Sequence, residues 1–337
     1  MFPKVSIVVV NYNGEQWLRK CFHTIAAQKY RGSLQIILVD NNSSDMSREF
    51  AKKKYKNAVV VNSGGNLGYS GGANFGCRYA KGEYVALMAN DMFFPQDWIQ
   101  KMVDFMEKDK DLAASTAIMV NGEDVSLSEG ELLNASPVLV GRADTKGTGE
   151  TVVPWGGACI FRRNLFPQPF DSEYFLYGED IYLGLMSWLR GYKVKSNPVK
   201  VAHLGSVTVG FFSRTQVYYN ERNRLANLLV FFKFKTLLML APLIVSDAAL
   251  KLLYFLKAKR ADLAKAEISA LSWNLKDLKK NLRKRHYVQR QRKVADYKIF
   301  EVLCENMYGE GRVKNILNLP AIGYFRFLKC LWRLFKI

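Results

Sequence analysis

Cysteine and histidine are scarce: five Cys and three His in 337 residues. Cys21, Cys77, Cys159, Cys304 and Cys330 are odd in number, far apart and form no CxxC. Neither a disulfide framework nor a cysteine zinc site is indicated, and a reducing cytosolic environment is the simple reading. Nine Pro and 24 Gly carry no collagen-like or low-complexity signal, and no internal repeat is present, which excludes solenoids and propellers. The apolar run Val5–Val10 is too short for a signal-peptide core and no cleavage pattern follows it, so export by that route is not expected. What is present is a globular composition, 49% hydrophobic and 23% charged, long enough for two domains or for one with an appendage.

Negative charge is lacking in one part of the chain only. Residues 1–210 hold 23 Lys and Arg against 21 Asp and Glu; of the totals, 49 and 30, the remaining 26 and 9 fall in residues 211–337. A nearly neutral front is thus joined to a tail of net charge +17, out of +19 for the whole chain. Such asymmetry points to a polyanionic partner for the tail, nucleic acid or an anionic membrane surface.

The front part alternates strand and helix patterns. Val5–Val10, Leu34–Val39, Ala58–Val61 and Tyr84–Met88 are apolar, mostly β-branched runs that end in turn chemistry, and they predict buried strands. Between and after them, helices are predicted over about 15–27, to Tyr55, 73–80 and 96–107. This order predicts a mostly parallel sheet with helices on both faces. Further on, Cys159–Phe161 is a short apolar stretch, Ile181, Leu185, Trp188 and Leu189 mark a helix face closed by Gly191, and Tyr192–Lys195 and Val199–Ala202 are two short strands. Polar loops are expected at 121–124 and 141–150. In a parallel sheet the ligand lies beyond the carboxyl ends of the strands. Asn11-Tyr12-Asn13, Asp40, Asn62–Gly72 and Asn90-Asp91 all follow strand ends and are expected on one rim. A dinucleotide fingerprint is excluded, because GGNLGYSGG follows the third strand and lacks GxGxxG spacing.

In order along the chain stand VSIVVVNYNG, ILVDNNSSD, NSGGNLGYSGGANFG, LMAND, GGACIFRR, FLYGEDIYLGLMSWLRGYKV and AHLGS. Together these strings resemble the inverting glycosyltransferase family 2, and within it the rhamnosyltransferase-like subgroup that builds surface glycans. The resemblance covers roughly residues 4–210. It implies a GT-A nucleotide-diphospho-sugar transferase fold of the α/β class, and transfer of a sugar from a nucleotide-sugar donor to a hydroxyl of a glycan acceptor.

The resemblance also implies roles. Asp91 occupies the position of the family's DXD-type metal carboxylate, for Mn²⁺ or Mg²⁺, although Ala89 stands at the first acidic position. His203 matches a histidine able to complete the metal site, and a nitrogen ligand favours Mn²⁺ somewhat. Asp40 would take the nucleobase or ribose, since a carboxylate accepts from ribose hydroxyls or a base N–H. Asn11 and Asn13 would hold the base; Asn66, Gly68, Gly71, Gly72 and Asn74 would lie along the donor, and Asn90 beside it. Asp180 is expected to be the general base, its anion stabilised by a helix N-terminus, with Glu179 orienting the acceptor. Trp155, Gly156 and Gly157 would line the acceptor or sugar pocket, and Arg222 and Arg224 would border the site.

In the tail, Leu237–Leu256 is 20 residues, long enough to span a bilayer, but Pro242, Asp247 and Lys251 interrupt it. An interfacial or re-entrant helix pair is the expectation. A basic run follows at 276–293, and the alternation of bulky apolar and basic residues in Tyr324–Ile337 predicts an amphipathic interfacial helix. The expected organisation is therefore a catalytic domain over 1–210 and a basic, helical, membrane-associating region over 211–337. It implies a lipid-linked acceptor, the cytoplasmic face of the cell membrane, and no nucleic-acid partner, because the apolar stretches do not suit a solvated nucleic-acid arm. The alternative is a catalytically silent glycan- or membrane-binding module that keeps the fold.

Overall fold

The computed structural model describes residues 2–121, 149–204, 213–302, 323–324 and 326–334. The expected loops at 122–124 and 141–148, together with Gly205 and Ser206, lie outside them. The chain divides into two units: one of residues 1–132, 143–183 and 193–207, the other of 133–142, 184–192 and 208–337.

The first unit is built on one sheet. Its strands are β1 (Val5–Asn11), β2 (Leu34–Asp40), β3 (Ala58–Asn62), β4 (Tyr84–Met88), β5 (Met92–Phe93), β6 (Leu112–Asn121), β7 (Ala158–Arg162) and β8 (Lys193–His203). Their order is β3-β2-β1-β4-β7-β6-β8-β5. The pairs β1–β2, β2–β3, β1–β4 and β6–β8 are parallel, whereas β4–β7, β6–β7 and β5–β8 are antiparallel. The sheet is thus mixed: the expected parallel arrangement holds for the first four strands. Strand β7 stands in the centre of the sheet, antiparallel to both β4 and β6. The two strands expected at 192–195 and 199–202 are one continuous strand, β8; Pro198 falls where its pairing with β6 is irregular.

Helices α1 (Glu15–Ala26), α2 (Ser47–Lys54), α3 (Gly68–Cys77) and α4 (Trp98–Glu107) cover both faces. Along β1 the side chains alternate. Val5, Ile7 and Val9 join a core with Leu18, Phe22 and Ile25 of α1 and Trp98, Met102 and Met106 of α4. Val8 and Val10 point the other way, onto Gly76 and Gly72 of α3, where any side chain would collide with them. Helix α3 begins at Gly68, earlier than the expected Ala73, since this glycine-rich stretch is selected for close approach to the sheet and not for helix propensity. Helix α5 (Glu179–Leu189) follows a lead-in whose backbone is left-handed at Phe175 (φ 63°), Tyr177 (φ 64°) and Gly178 (φ 77°). Such φ values are costly for aromatic residues and recur at functional sites.

The second unit is helical: α6 (Arg214–Phe231), α7 (Phe234–Lys257), α8 (Ala261–Lys276), α9 (Leu278–Gln289), α10 (Asp296–Glu301) and a further helix over 326–334. Asp247 and Lys251, which interrupt the apolar run of α7, are not exposed to cost. Asp247 pairs with Arg224 of α6 (3.1 Å) and with Lys251 (2.8 Å), and Lys251 also pairs with Glu221 (2.8 Å). Arg224 therefore sits in an ionic cluster of this unit, and Arg222 lies against the rings of Tyr219 and Trp273. The expected interfacial side of the last helix is corrected in part: Trp332 and Leu328 are buried, Trp332 stacked on Phe300 with ring centroids 4.0 Å apart.

Candidate active site

The carboxyl ends of the first strands are in register, with Asn11 beside Asp40 and Asp40 beside Asn62. The polar clusters after β1, β2 and β3 therefore meet on one rim. Asp40 is buried; one of its carboxylate oxygens accepts the Ser43 N–H (3.3 Å), and the other has no hydrogen-bond partner among the described residues. A buried acceptor left open at a strand end is costly unless a ligand fills it.

Several expected donor-contacting amides instead hold the rim together. Asn11 is buried; its amide donates to Ser43 (3.3 Å) and Ser47 (2.9 Å), and its oxygen accepts from Asn90 (2.7 Å). Asn90 is thus turned onto Asn11. Asn13, with φ 47°, accepts from the Ser44 N–H (2.8 Å) and carries an exposed backbone. Asn66 accepts the Gly68 N–H (2.9 Å), and Gly68 adopts φ 66° where a side chain would strike Phe175. Asn74 departs from the expectation: it is buried in α3, donates to the Phe170 carbonyl (2.8 Å) and Ser172 (2.9 Å), and accepts the Phe170 N–H (3.2 Å). Its amide is spent on the segment leading to α5. Gly72 lies against Asn41, a residue the sequence reading did not single out, whose amide donates to the Gly68 carbonyl (2.8 Å).

Asp91 and His203 meet across an antiparallel pair. Met92 of β5 is opposite His203 at the end of β8, and His203 Nε2 lies 3.4 Å from Asp91 Oδ2. Both side chains keep some exposure. Among the described residues no third His, Cys, Asp or Glu joins them as a metal group. Ala89, at the position without a carboxylate, faces Gly157 closely: a side chain at 157 would strike Ala89 and Met92.

The carboxylate pair sits at the first turn of α5. The Asp180 carboxylate accepts from the N–H of Ile181 (2.8 Å) and from the N–H of Gly156. These bonds favour its anion, as a helix N-terminus should, but burial outweighs them and raises its pKa to about 6. The sequence expectation of a stabilised anion is corrected in that respect. Glu179 is more deeply buried; that burial, with Asp180 beside it, pushes its pKa further up, to about 8, and its Oε2 has no hydrogen-bond partner among the described residues. The two carboxyls are thus set apart in protonation, the arrangement that separates acid from base roles.

Tyr69 binds this region together and was missed from sequence, although it stands inside the glycine-rich loop. Its hydroxyl donates to the Gly156 carbonyl (2.5 Å). Burial first, and then the charges of Cys159, Glu179, Asp180 and Asp91, hold its phenol well above the ordinary value. The indole N–H of Trp155 is buried with no partner among the described residues, a donor available to a ligand.

Residues 6–168 match the family described as glycosyl transferase family 2. An uncharacterized glycosyltransferase of Haemophilus influenzae is 31% identical over 115 residues, 33% of this chain and 35% of that protein. The low-salt glycan biosynthesis hexosyltransferase Agl10 of Haloferax volcanii is 26% identical over 238 residues, 66% of this chain and 75% of that protein. The match covers 35%, 14% and 21% of the first three curated relatives, well under their full length. The fold is that of the mannosyltransferase PcManGT from Pyrobaculum calidifontis, solved with GDP-Man and Mn²⁺ (TM-score 0.51, 15% identity, 100% of this chain and 88% of that one). It is also that of S. aureus TarS 1-349 in complex with UDP (TM-score 0.50, 15% identity, 80% and 91%). Residues 6–168 of this chain are accordingly similar to a glycosyl transferase family 2 domain, and the fold is of the GT-A type.

Proposed function

We infer that this chain moves a sugar from a nucleotide-diphosphate donor to a hydroxyl of a glycan acceptor, with inversion. The observation that carries the reading is Asp180: a carboxylate at the start of α5, held by the Gly156 and Ile181 N–H groups and raised by burial to about 6. A base poised just below neutral is ionised at working pH, yet takes a proton more readily than an ordinary carboxylate. In the proposed step Asp180 takes the acceptor hydroxyl proton as that oxygen attacks the anomeric carbon, and the nucleoside diphosphate leaves from the opposite face. One base and no covalent intermediate suffice for inversion. Glu179, held largely protonated, donates through its O–H to an acceptor or sugar oxygen.

Asp40 takes the ribose or base through its open oxygen, with the exposed Asn13 turn beside it. Trp155, with Gly156 and Gly157, forms the sugar platform and offers the unpaired indole N–H. The donor set at Asp91 and His203, one carboxylate and one imidazole 3.4 Å apart and partly exposed, fits a divalent cation, which these two side chains would hold beside the donor's diphosphate. Mn²⁺ suits this mixed set better than Mg²⁺, and either ion when bound would offset the charge that gathers on the leaving diphosphate. The Mn²⁺ in the PcManGT complex supports this reading.

The acceptor is read as a lipid-linked glycan, in the assembly of surface polysaccharide or glycoconjugate by a rhamnosyltransferase-like enzyme on the cytoplasmic face of the membrane. The motif order over 4–210 and the net charge of +17 on residues 211–337 support it. Calorimetric binding of UDP, dTDP and GDP, with and without Mn²⁺, to wild type and Asp91→Ala tests the donor site. Metal-dependent binding of one nucleotide, lost in the variant, is the expected result. Binding without transfer to any glycan acceptor, or no binding at all, would favour the silent glycan- or membrane-binding module.

A further inference from the structure

Helix α7 is built inside out. Along its 24 residues, Thr236, Leu240, Asp247 and Phe255 face into the helical unit, with Asp247 1% exposed. The opposite stripe, at 234, 238, 245, 253 and 256, is apolar throughout and open: Phe234 is 61% exposed, Leu238 77%, Val245 68%, Leu253 63% and Leu256 62%. A helix of a water-soluble surface places its charges outward and its leucines inward. Here the mid-helix charges, Asp247 and Lys251, are inside, in the cluster with Glu221 and Arg224, and five large apolar side chains at helical spacing are outside. A contiguous exposed stripe of this kind marks a contact surface.

Charge says what covers it. Exposed lysines stand near both ends of the stripe, Lys235 and Lys257, and Lys279 and Arg283 of α9, with Arg290 just past its end, are exposed as well. The whole segment 211–337 has a net charge of +17. Apolar side chains bordered by cations fit an anionic lipid surface, where chains take up the leucines and headgroups take the lysines. We propose that α7 lies in the plane of an anionic bilayer interface, its outward stripe inserted and its ionic stripe kept in the helical unit.

The in-plane orientation follows from the cluster. Among the described residues α7 is the one helix long and apolar enough to cross a membrane. Were it to span, Asp247 and Lys251 at mid-helix would need Glu221 and Arg224 of α6 in the hydrocarbon with them, and α6 carries Arg214, Asn220, Asn223 and Asn227 besides. Lying flat, the helix keeps every one of these pairs and loses none. The proposal stands apart from the transferase reading, because vesicle binding is measured without donor or acceptor.

The test is co-sedimentation of the full chain with vesicles of phosphatidylcholine and phosphatidylglycerol in equal parts, and with phosphatidylcholine alone. Wild type should pellet with the anionic vesicles. Leu238→Glu with Leu253→Glu should cut the bound fraction by about tenfold or more, and Lys235→Glu with Lys257→Glu should abolish the preference for the anionic lipid. Circular dichroism and melting of the variants should match wild type, since the substituted side chains are exposed. Depth labels at Leu238→Cys, Val245→Cys and Leu253→Cys, with Cys304 and Cys330 replaced by Ser, should report one shallow depth. Wild type left in the supernatant, or a leucine variant that pellets like wild type, overturns the proposal. So does a Val245 label deeper than the other two, which means a span. A lipid-free dimer, or a complex with single-stranded DNA, that the leucine variants abolish would assign the stripe to those partners and overturn it equally.

Discussion

The Tyr69 hydroxyl donates to the carbonyl of Gly156 at 2.5 Å, while the N–H of the same glycine donates to Asp180. One peptide unit thus ties the glycine-rich loop to the carboxylate of α5. Tyr69→Phe keeps the ring against Phe170 but leaves a buried carbonyl without its donor, a loss of about 1–3 kcal/mol. The melting temperature should fall accordingly. Transfer should fall with it through kcat rather than KM, as the Gly156 peptide no longer fixes the base.

Burial raises both carboxyls of α5, and the sign of each consequence is definite. As the proposed base, Asp180 would have to be ionised to act, so activity should rise with pH through about 6, above the range of an ordinary carboxylate. Asp180→Asn should remove that limb and reduce turnover by about 10²–10⁴-fold, with nucleotide binding unchanged. Glu179 binds its proton more tightly folded than unfolded. Its contribution to stability is complete at acid pH and is lost as pH rises from the ordinary carboxylate value through about 8. Glu179→Gln should therefore match wild type in acid and melt higher at neutral and alkaline pH.

The strand ends were legible because each β-branched run stops at a polar cluster, and a parallel sheet brings those stops to one rim. The antiparallel places of β7 and β5 were not, since strand direction in a sheet is set by tertiary pairing and has no local sequence signature. Among the site residues, Asp40 ends β2, Asp91 and His203 meet beside the β5–β8 pair, and Asp180 stands in the first turn of α5. The asparagines were less readable. An amide can serve a ligand or the scaffold with the same chemistry, and only packing assigns Asn11 and Asn74 to the scaffold. Tyr69 was hidden for the opposite reason: an aromatic residue in a glycine loop carries no periodic signal.

His203 and Asp91 are brought together by backbone contacts, the β5–β8 pair and the Leu204 N–H donating to the Asp91 carbonyl (3.2 Å), so either side chain can be removed with little effect on the core. His203→Ala should weaken Mn²⁺-supported nucleotide binding more than Mg²⁺-supported binding, because the imidazole is the softer ligand. Asp91→Ala should abolish both. Chelation of metal from wild type should reproduce the Asp91→Ala result by calorimetry, and equal losses for the two ions in His203→Ala would remove His203 from the metal site.

Arg224 of α6 holds two acidic groups of the second unit, Glu221 at 2.5 Å and Asp247 at 3.1 Å, with Lys251 as the other cation. All three of Glu221, Arg224 and Asp247 are buried. Arg224→Leu would strand the carboxylates with one lysine between them, and removing one partner from a buried ionic group costs about 3–5 kcal/mol. Glu267, also buried, is raised to about 7, by burial first and then by Glu221, so above neutral pH it adds a charge the cluster does not need. Its proton is held more tightly in the folded state, and the associated stability is lost as pH rises through about 7. Glu267→Gln should therefore raise the melting temperature at alkaline pH and leave it unchanged in acid. In the Arg224→Leu background that gain should grow, since the arginine no longer offsets the third carboxylate; a double-mutant cycle with additive shifts would mean that Glu267 lies outside the cluster's field.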